Sequence, residues 1–250
     1  MELMIEKLLG FVLVLTRLSA FFMVLPVFGW KSIPARVKVA TILGMAIFFS
    51  IVIPFGLDAT KVTVLEALLL IVNESVYGLA LGLIVVLIFS IVKFSGRVIE
   101  RQMGLALAAT LDPLTGEGAQ PLGMLVEMIF ILLFLSANGH HLLLMVVSKS
   151  YEAFPVGSIP TTPVLTAGVL EAGSAMFLAG LRLSAPVLAA FIVLLVTLAV
   201  LARIAPQMNI LFISLPLRVG LGLLMAVLFV PLVNGFIPEF ADWLGKLLPL

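Results

Sequence analysis

Five charged side chains lie inside or at the edges of long apolar segments: Arg17, Glu74, Glu127, Arg182 and Arg218. A charge at the centre of a membrane helix costs about 2.5 to 3.5 kcal/mol on insertion scales, so we expect these side chains to face protein or water. They indicate either a polar conduit or proton relay, or a set of inter-helix ion pairs with some side chains extending from near a helix end. Proline lies within nine residues of both Arg17 and Arg218, which favours a position near a helix end for these two.

His140 and His141 are adjacent in the sequence, following Asn138 and Gly139. Adjacent side chains on a helix point about 100 degrees apart, so the two rings cannot chelate one metal ion as a pair four residues apart would. The sequence also contains no nucleophile with a histidine and an acid, no phosphate-binding glycine loop and no cofactor fingerprint. We therefore predict that the chain is not an enzyme and has no metal site and no cofactor.

One segment of the sequence must be a loop, namely LDPLTGEGAQP at positions 111 to 121. An aspartate before a proline favours extended backbone, and Gly116 and Gly118 permit positive φ. Pro121 suits the first turn of the next helix. Small and apolar residues precede the loop, at Ala106 to Ala109, so we expect it to be enclosed by protein rather than bathed in solvent.

Two further patterns concern helix surfaces. Gly78 and Gly82 lie four residues apart in an apolar run, a spacing that allows two helices to approach closely. Lys93, Arg97 and Arg101 also recur every four residues and so share one helix face. We interpret this basic face as a solvated surface just outside the membrane, or as a surface for acidic headgroups or an acidic partner.

The amino-acid composition indicates the surroundings of the segments that carry these residues. Of 250 residues, 63% are hydrophobic and 11% are charged, and the mean hydropathy is +1.32. A soluble domain is nearer half apolar and a quarter charged, so lipid or other subunits must cover this chain. Net charge is +1 without basic clusters, which argues against nucleic-acid binding. The chain has no cysteine, which excludes disulfides and thiolate ligands.

Helices that cross a membrane need about 20 mostly apolar residues. Six runs of this kind predict an all-α membrane protein that is a single domain over residues 1–250, and two longer connectors lie at 93–123 and 148–175. The predicted runs are 8–28, 37–55, 65–92, 124–147, 176–202 and 210–233. The turn at 203–209 contains Pro206, which ends or kinks a helix.

Four strings in this sequence are similar to the FliR family. They are RLSAFFMVLPVFGWKSIPARVKVA from Arg17, GLALAATLDPLTGEGAQP from Gly104, SANGHHLLL from Ser136 and ARIAPQMNILFISLPLRVGLG from Ala202. The resemblance extends over essentially the whole chain, and the four strings occur in the family's order and spacing. The NGHH string resembles the flagellar branch more than the homologues of virulence type III secretion systems.

The resemblance implies a subunit of the flagellar type III protein-export gate, in the bacterial inner membrane at the flagellar basal body. Its implied partners are FliP and FliQ, with FlhA and FlhB, unfolded export substrates and membrane lipid. The helices would form tilted hairpins around a pore, so some apolar runs would face neighbouring subunits. The resemblance also assigns a pore plug to the loop residues Leu111, Asp112, Pro113, Leu114, Thr115, Gly116, Glu117 and Gly118.

Three alternatives stay open at this point. The first is the homologous subunit of a virulence secretion system. The second is a small ion-coupled secondary transporter that would use Glu74, Glu127, Arg182 and an interrupted helix near Pro206 and Pro216, although the two halves of the chain show no internal repeat. The third is a purely structural scaffold, which differs from the gate only in lacking a moving pore element.

Overall fold

The structure is a computed structural model that describes residues 2–26, 33–53, 62–104, 121–158 and 162–247. Within these ranges the regular structure is entirely α-helical, with seven helices and no strand. The fold class predicted from the apolar runs, an all-α membrane protein, is therefore confirmed. The helices are α1 (Glu2–Val24), α2 (Ala35–Val52), α3 (Val64–Met103), α4 (Pro121–Ser136), α5 (Gly139–Ala153), α6 (Thr162–Ile204) and α7 (Ile210–Leu247).

Five of these helices are long and apolar enough to cross a membrane, and α4 with α5 makes a sixth span if the pair is counted as one. The predicted fourth run, 124–147, is not one continuous helix. It breaks at residues 137–138 because Asn138 adopts a left-handed backbone with φ 59°. Asparagine tolerates this conformation better than most residues, so α4 can end and α5 can begin within two residues.

The two long connectors are shorter than the sequence predicted. Helix α3 continues through Lys93, Arg97 and Arg101 to Met103 because charged side chains do not end a helix. The helix stops where Gly104 takes φ +80°, in the region that glycine enters at little cost. On the other side, α5 extends to Ala153 and α6 already begins at Thr162.

Local chemistry accounts for two of the helix boundaries. At the start of α3, Thr63 and Glu66 form a reciprocal cap. The Thr63 N–H donates to Glu66 Oε2 at 2.7 Å and the Glu66 N–H donates to Thr63 Oγ1 at 3.3 Å. Between α6 and α7, residues 205–209 form turns around Pro206, as the predicted helix break required.

The chain divides into two compact units. Unit 1 comprises residues 1–88, 138–174 and 240–250, and unit 2 comprises residues 89–137 and 175–239. The core of unit 1 includes Leu13, Phe21 and Ile84, and α1 packs against α2 within it. Unit 2 has an aromatic core in which Phe89 lies 5.5 Å from Phe130 and 5.1 Å from Phe134, both edge to face.

Candidate functional site

A buried ion pair joins α1 to α3 in unit 1. Arg17 Nε donates to Glu74 Oε2 at 2.6 Å, and the two side chains are 1% and 0% exposed. The structure thus brings together two of the five charged residues singled out in the sequence. Two buried charges this close interact strongly because little solvent screens them, but removing them from water is costly unless the remaining polar atoms also find partners.

Backbone groups supply most of those partners. Arg17 Nη1 donates to the carbonyls of Ser150, at 3.2 Å, and Phe154, at 3.0 Å, at the end of α5. The second oxygen of Glu74, Oε1, accepts the Gly157 N–H at 2.9 Å. The Phe154 carbonyl lies past the last residue of α5, whereas the Ser150 carbonyl already accepts the Phe154 N–H at 3.0 Å. The guanidinium therefore completes the end of α5 at Phe154 and gains compensation for its own burial.

Two aromatic rings flank the Arg17 guanidinium. Its Cζ lies 4.3 Å from the ring centroid of Tyr151 and 4.9 Å from that of Tyr77. The chain has only two tyrosines, and both contact this one cation. Rings at this distance stabilise a desolvated cation through their electron-rich faces. Sequence reasoning missed both residues, although Tyr77 lies three positions after Glu74 and therefore on the same helix face.

The expected location of Arg17 near a helix end was wrong. Pro26 lies beyond the end of α1, and Arg17 is two turns before that end, with its side chain buried. The guanidinium does not extend to solvent because Glu74 and the end of α5 bond its Nε and Nη1 atoms within unit 1, while its Nη2 is buried without a hydrogen-bond partner among the described residues. A nearby proline marks the end of a helix but does not determine which way a side chain turns.

Directly beside this ion pair, the predicted glycine pair lies against α1. A Cβ on Gly78 would be 2.8 Å from Ala20 Cβ and closer still to the Arg17 carbonyl oxygen. A Cβ on Gly82 would meet the Phe21 carbonyl oxygen at 3.0 Å and Val24 Cβ at 3.3 Å. Both glycines therefore allow the two backbones to approach closely, and the tightest point is at the level of Arg17.

A second ion pair lies in unit 2. Lys93 Nζ of α3 is 2.8 Å from Glu127 Oε2 of α4, with side chains 35% and 14% exposed. This contact divides the basic face predicted on α3: Lys93 is paired, while Arg97 and Arg101 are exposed. Sequence reasoning did not single out Glu100, which is 4% exposed and accepts the Gly123 N–H at 3.3 Å.

The remaining two arginines are not paired in this way. Arg182 is exposed on α6, and Arg218 is half-buried on α7 with an Nε atom that is buried and has no hydrogen-bond partner. Within the described ranges, neither guanidinium lies within 4.0 Å of a carboxylate. The structure therefore brings Arg17 to Glu74 and, among the residues it describes, places no acid beside Arg182 or Arg218.

His140 and His141 begin α5 instead of lying inside one long helix, and their ring centroids are 4.3 Å apart. Among the residues that the structure describes, no group of three or more His, Asp or Glu side chains is arranged to bind a metal ion. The plug loop predicted from the family resemblance, Leu111 to Gly118, lies outside the described residues.

Long apolar helices, charges paired between helices and extensive uncovered apolar surface define a polytopic α-helical membrane protein. The sequence comparisons identify the family. The family model described as "Bacterial export proteins, family 1" matches residues 8–242. The "Flagellar biosynthetic protein FliR" of Bacillus subtilis (strain 168) is 32% identical over 237 residues, covering 91% of this chain and 90% of that protein.

The "Flagellar biosynthetic protein FliR" of Escherichia coli (strain K12) is 33% identical over 224 residues, with 89% of this chain and 84% of that protein covered. The protein of the same name in Aquifex aeolicus (strain VF5) is 28% identical over 233 residues, with 92% and 88% covered. The chain belongs to the FliR family of bacterial export proteins, as its sequence strings predicted, and is a membrane protein of the flagellar export apparatus.

Proposed function

We propose that this chain is a subunit of the flagellar type III protein-export gate in the bacterial inner membrane. In this proposal it assembles with FliP and FliQ into the pore through which unfolded flagellar proteins leave the cytoplasm, and the assembly works with FlhA and FlhB. The relatives cited above are named as flagellar biosynthetic proteins, which supports the flagellar assignment over the virulence branch.

Uncovered apolar surface supports an assembly. Over one apolar 18-residue stretch of each span, 11% of the residues are buried in α2, 17% in α6 and 22% in α7, against 56% in α3. Large side chains such as Ile51, Phe177 and Val227 are more than half exposed. Helix α3 is therefore the most covered by other residues of this chain, while the other three helices present surface that lipid or other subunits must cover.

Arg182 is the observation that carries the proposal. It is exposed near the middle of α6, an apolar helix of 43 residues. Hydrocarbon would be a costly environment for this guanidinium, by about 2.5 to 3.5 kcal/mol on insertion scales. The face of α6 that carries Arg182 consequently needs protein or water, which neighbouring subunits around a pore would provide and a lipid-facing scaffold would not.

The transporter alternative is disfavoured by the carboxylates. It needs an acid free to bind an ion, yet Glu74 is held by Arg17 and the Gly157 N–H, and Glu127 is held by Lys93. Both carboxylates already have a basic partner on a neighbouring helix. Their bonds support a structural role more than ion coupling.

Assembly can be tested by expression with and without partners. We expect the chain to be degraded or aggregated alone, and to be recovered in one complex when FliP-like and FliQ-like chains are co-expressed. The mass of the native complex in mild detergent is the measurement. A stable, monodisperse monomer obtained without partners would contradict the gate.

The closed state is the second part of the proposal. We propose that residues 111–118 occlude the resting pore, as the family resemblance implies, and that glycines 116 and 118 let the loop move aside. Deleting residues 116–118 should leave the complex assembled but conductive to small ions. Conductance across a bilayer that contains the purified complex, wild type against deletion, measures this. Equal conductance with both complexes intact would contradict the assignment of residues 111–118 as the plug.

A further inference from the structure

The two helix ends that flank residues 105–120 are both described and both belong to unit 2. Helix α3 ends at Met103, and α4 begins at Pro121. The contacts of these ends determine where the intervening segment leaves the helical body and where it returns. These contacts include a hydrogen bond and two close approaches at glycine, in addition to apolar packing.

At the return point, Glu100 caps α4 from a neighbouring helix. Gly123 is in the first turn of α4, where backbone N–H groups have no helical acceptor. Its N–H donates to Glu100 Oε2 at 3.3 Å, and the Glu100 side chain is 4% exposed. A carboxylate at a helix N-terminus is stabilised by the helix dipole, so this bond fixes the first turn of α4 to α3.

A close contact between two glycines makes that bond possible. A Cβ on Gly96 would lie 2.9 Å from the Gly123 Cα, so only glycine at 96 lets the two helices approach this far. A Cβ on Gly123, in contrast, would have ordinary contacts, 3.4 Å to Arg97 Cγ and 3.7 Å to Glu100 Oε2. One turn along α4, the Lys93–Glu127 pair joins the same two helix faces.

At the exit point, Met103 occupies a notch on α7. Its side chain is 1% exposed and covers Gly222, where an added Cβ would be 2.9 Å from the methionine Cε and closer to its other atoms. Gly104 follows at φ +80° and ends the helix. The last turn of α3 is thus held to α7 immediately before the chain leaves it.

We infer that Glu100 is a positioning residue that holds the N-terminus of α4, and that with Met103 in its notch it forms a fixed collar at the base of segment 105–120. This inference rests on the proposed function, because it makes the collar the frame of the proposed plug. The collar keeps the two ends of the segment at a set separation, so a change in the segment does not spread into the helices.

Four variants of the full complex test the collar. Glu100→Ala removes the acceptor, whereas Glu100→Gln keeps an oxygen for the Gly123 N–H. Gly123→Pro removes the donor in a first turn that tolerates proline, whereas Gly123→Ala keeps it. The alanine at 123 and the glutamine at 100 are the matched controls, and the pair at 123 still tests the inference if Glu100→Ala does not assemble.

Because the chain has no cysteine, spin labels can be placed at two introduced cysteines, Arg101→Cys and Met124→Cys, in a complex with cysteine-free partners. Both positions are exposed. The distance distribution between the labels measures the collar independently of transport. We expect Glu100→Ala and Gly123→Pro to broaden it, with displaced conformers increasing about tenfold or more, the factor expected for losing a hydrogen bond to a charged group. Gly123→Ala should match the parent, and Glu100→Gln should lie between the parent and Glu100→Ala because it keeps the oxygen but not the charge.

Bilayer conductance of the same complexes, without labels, is the second readout. Broadened distances with raised conductance support the collar and its link to the plug. Broadened distances with unchanged conductance support the collar and contradict its role as the frame of the plug, while the deletion of residues 116–118 tests the plug itself. Unchanged distances in both Glu100→Ala and Gly123→Pro would overturn the inference, since the bond would then not position α4.

Discussion

The two acid–base pairs seen among the described residues have almost the same length and very different surroundings. Arg17 and Glu74 are 2.6 Å apart and fully buried, with backbone groups and two tyrosine rings around them. Lys93 and Glu127 are 2.8 Å apart, but the lysine is 35% exposed. The distance between the charges is thus a poor guide to what each pair contributes.

The difference lies in what remains after one partner is removed. A buried charge left alone keeps its full desolvation cost, so breaking a buried pair is strongly destabilising even if the intact pair contributes little net stability. A partly exposed charge is rehydrated instead. Arg17 and Glu74 should therefore behave as one unit, and Lys93 and Glu127 as two nearly independent side chains.

The largest effect is expected at the buried pair. Arg17→Ala or Glu74→Ala should each cost about 3 to 5 kcal/mol, because the other charge stays buried without its partner. The yield of complex co-expressed with its partners, and its thermal midpoint, are the measurements. Normal yield together with abolished export would instead point to a proton relay.

The double variant Arg17→Met with Glu74→Leu is the matched control for that prediction. Replacing both charges by apolar side chains removes the unpaired charge, so part of the lost stability should return. Recovery should be incomplete because the Phe154 carbonyl and the Gly157 N–H also lose their partners. A double variant as unstable as the sum of the single variants Arg17→Met and Glu74→Leu would show that the charges are not coupled.

The next effect concerns the glycine that lets α1 reach Glu74. Gly78→Ala should destabilise by about 1 to 3 kcal/mol through overpacking against the α1 backbone. Gly82→Ala should cost less, because its closest contact is longer. Gly173, which has nothing within 4 Å of an added Cβ, is the control position for alanine substitution. The thermal midpoint should fall most for Gly78→Ala, less for Gly82→Ala and least for Gly173→Ala. Equal midpoints for the three complexes would contradict a close helix contact at Gly78.

The rings around Arg17 give a smaller change. Tyr151→Leu should lose about 2 kcal/mol, the order of a cation–π contact with a desolvated cation. Tyr151→Phe keeps the ring and gives up only a long hydrogen bond to the Val14 carbonyl, at 3.4 Å. The two substitutions should differ clearly in thermal midpoint. If phenylalanine is as damaging as leucine, the hydroxyl and not the ring stabilises the site.

The smallest effect is expected at the exposed pair. Lys93→Ala or Glu127→Ala should change stability by about 0 to 1 kcal/mol, and raising the salt concentration should reduce the difference further. Thermal midpoints at low and high salt measure this. A loss as large as that of Glu74→Ala would mean that another subunit buries Lys93 and Glu127 in the complex, and the contrast between the two pairs would then disappear.

The sequence predicted the elements of the fold better than their contacts. Apolar runs and Pro206 located the helices and one break, because hydrophobicity over 20 residues and a missing N–H are local properties. The Asn138 break was missed because it lies inside an apolar run, and its turn signal, Asn followed by Gly, was read as part of a helix.

The contacts depend on which helices meet, and no local pattern contains that information. Arg17 and Glu74 are 57 positions apart, and Glu100 caps a helix that begins 21 positions after it. Glycine spacing predicted that Gly78 and Gly82 would be at a close helix contact without naming α1 as the partner. The family resemblance supplied the functional proposal, but the side-chain bonds became visible only in three dimensions.

The prolines of the last helix have a mechanical consequence. Pro216, Pro231 and Pro238 lie inside α7, and each leaves the carbonyl four residues earlier without its helical donor. Resistance to bending falls at such points because the hydrogen bond that would be stretched is already absent. Helix α7 therefore bends more easily at its three prolines than elsewhere along its length. We expect a load on the C-terminal end of α7 to bend the helix at these prolines before it displaces the first turn.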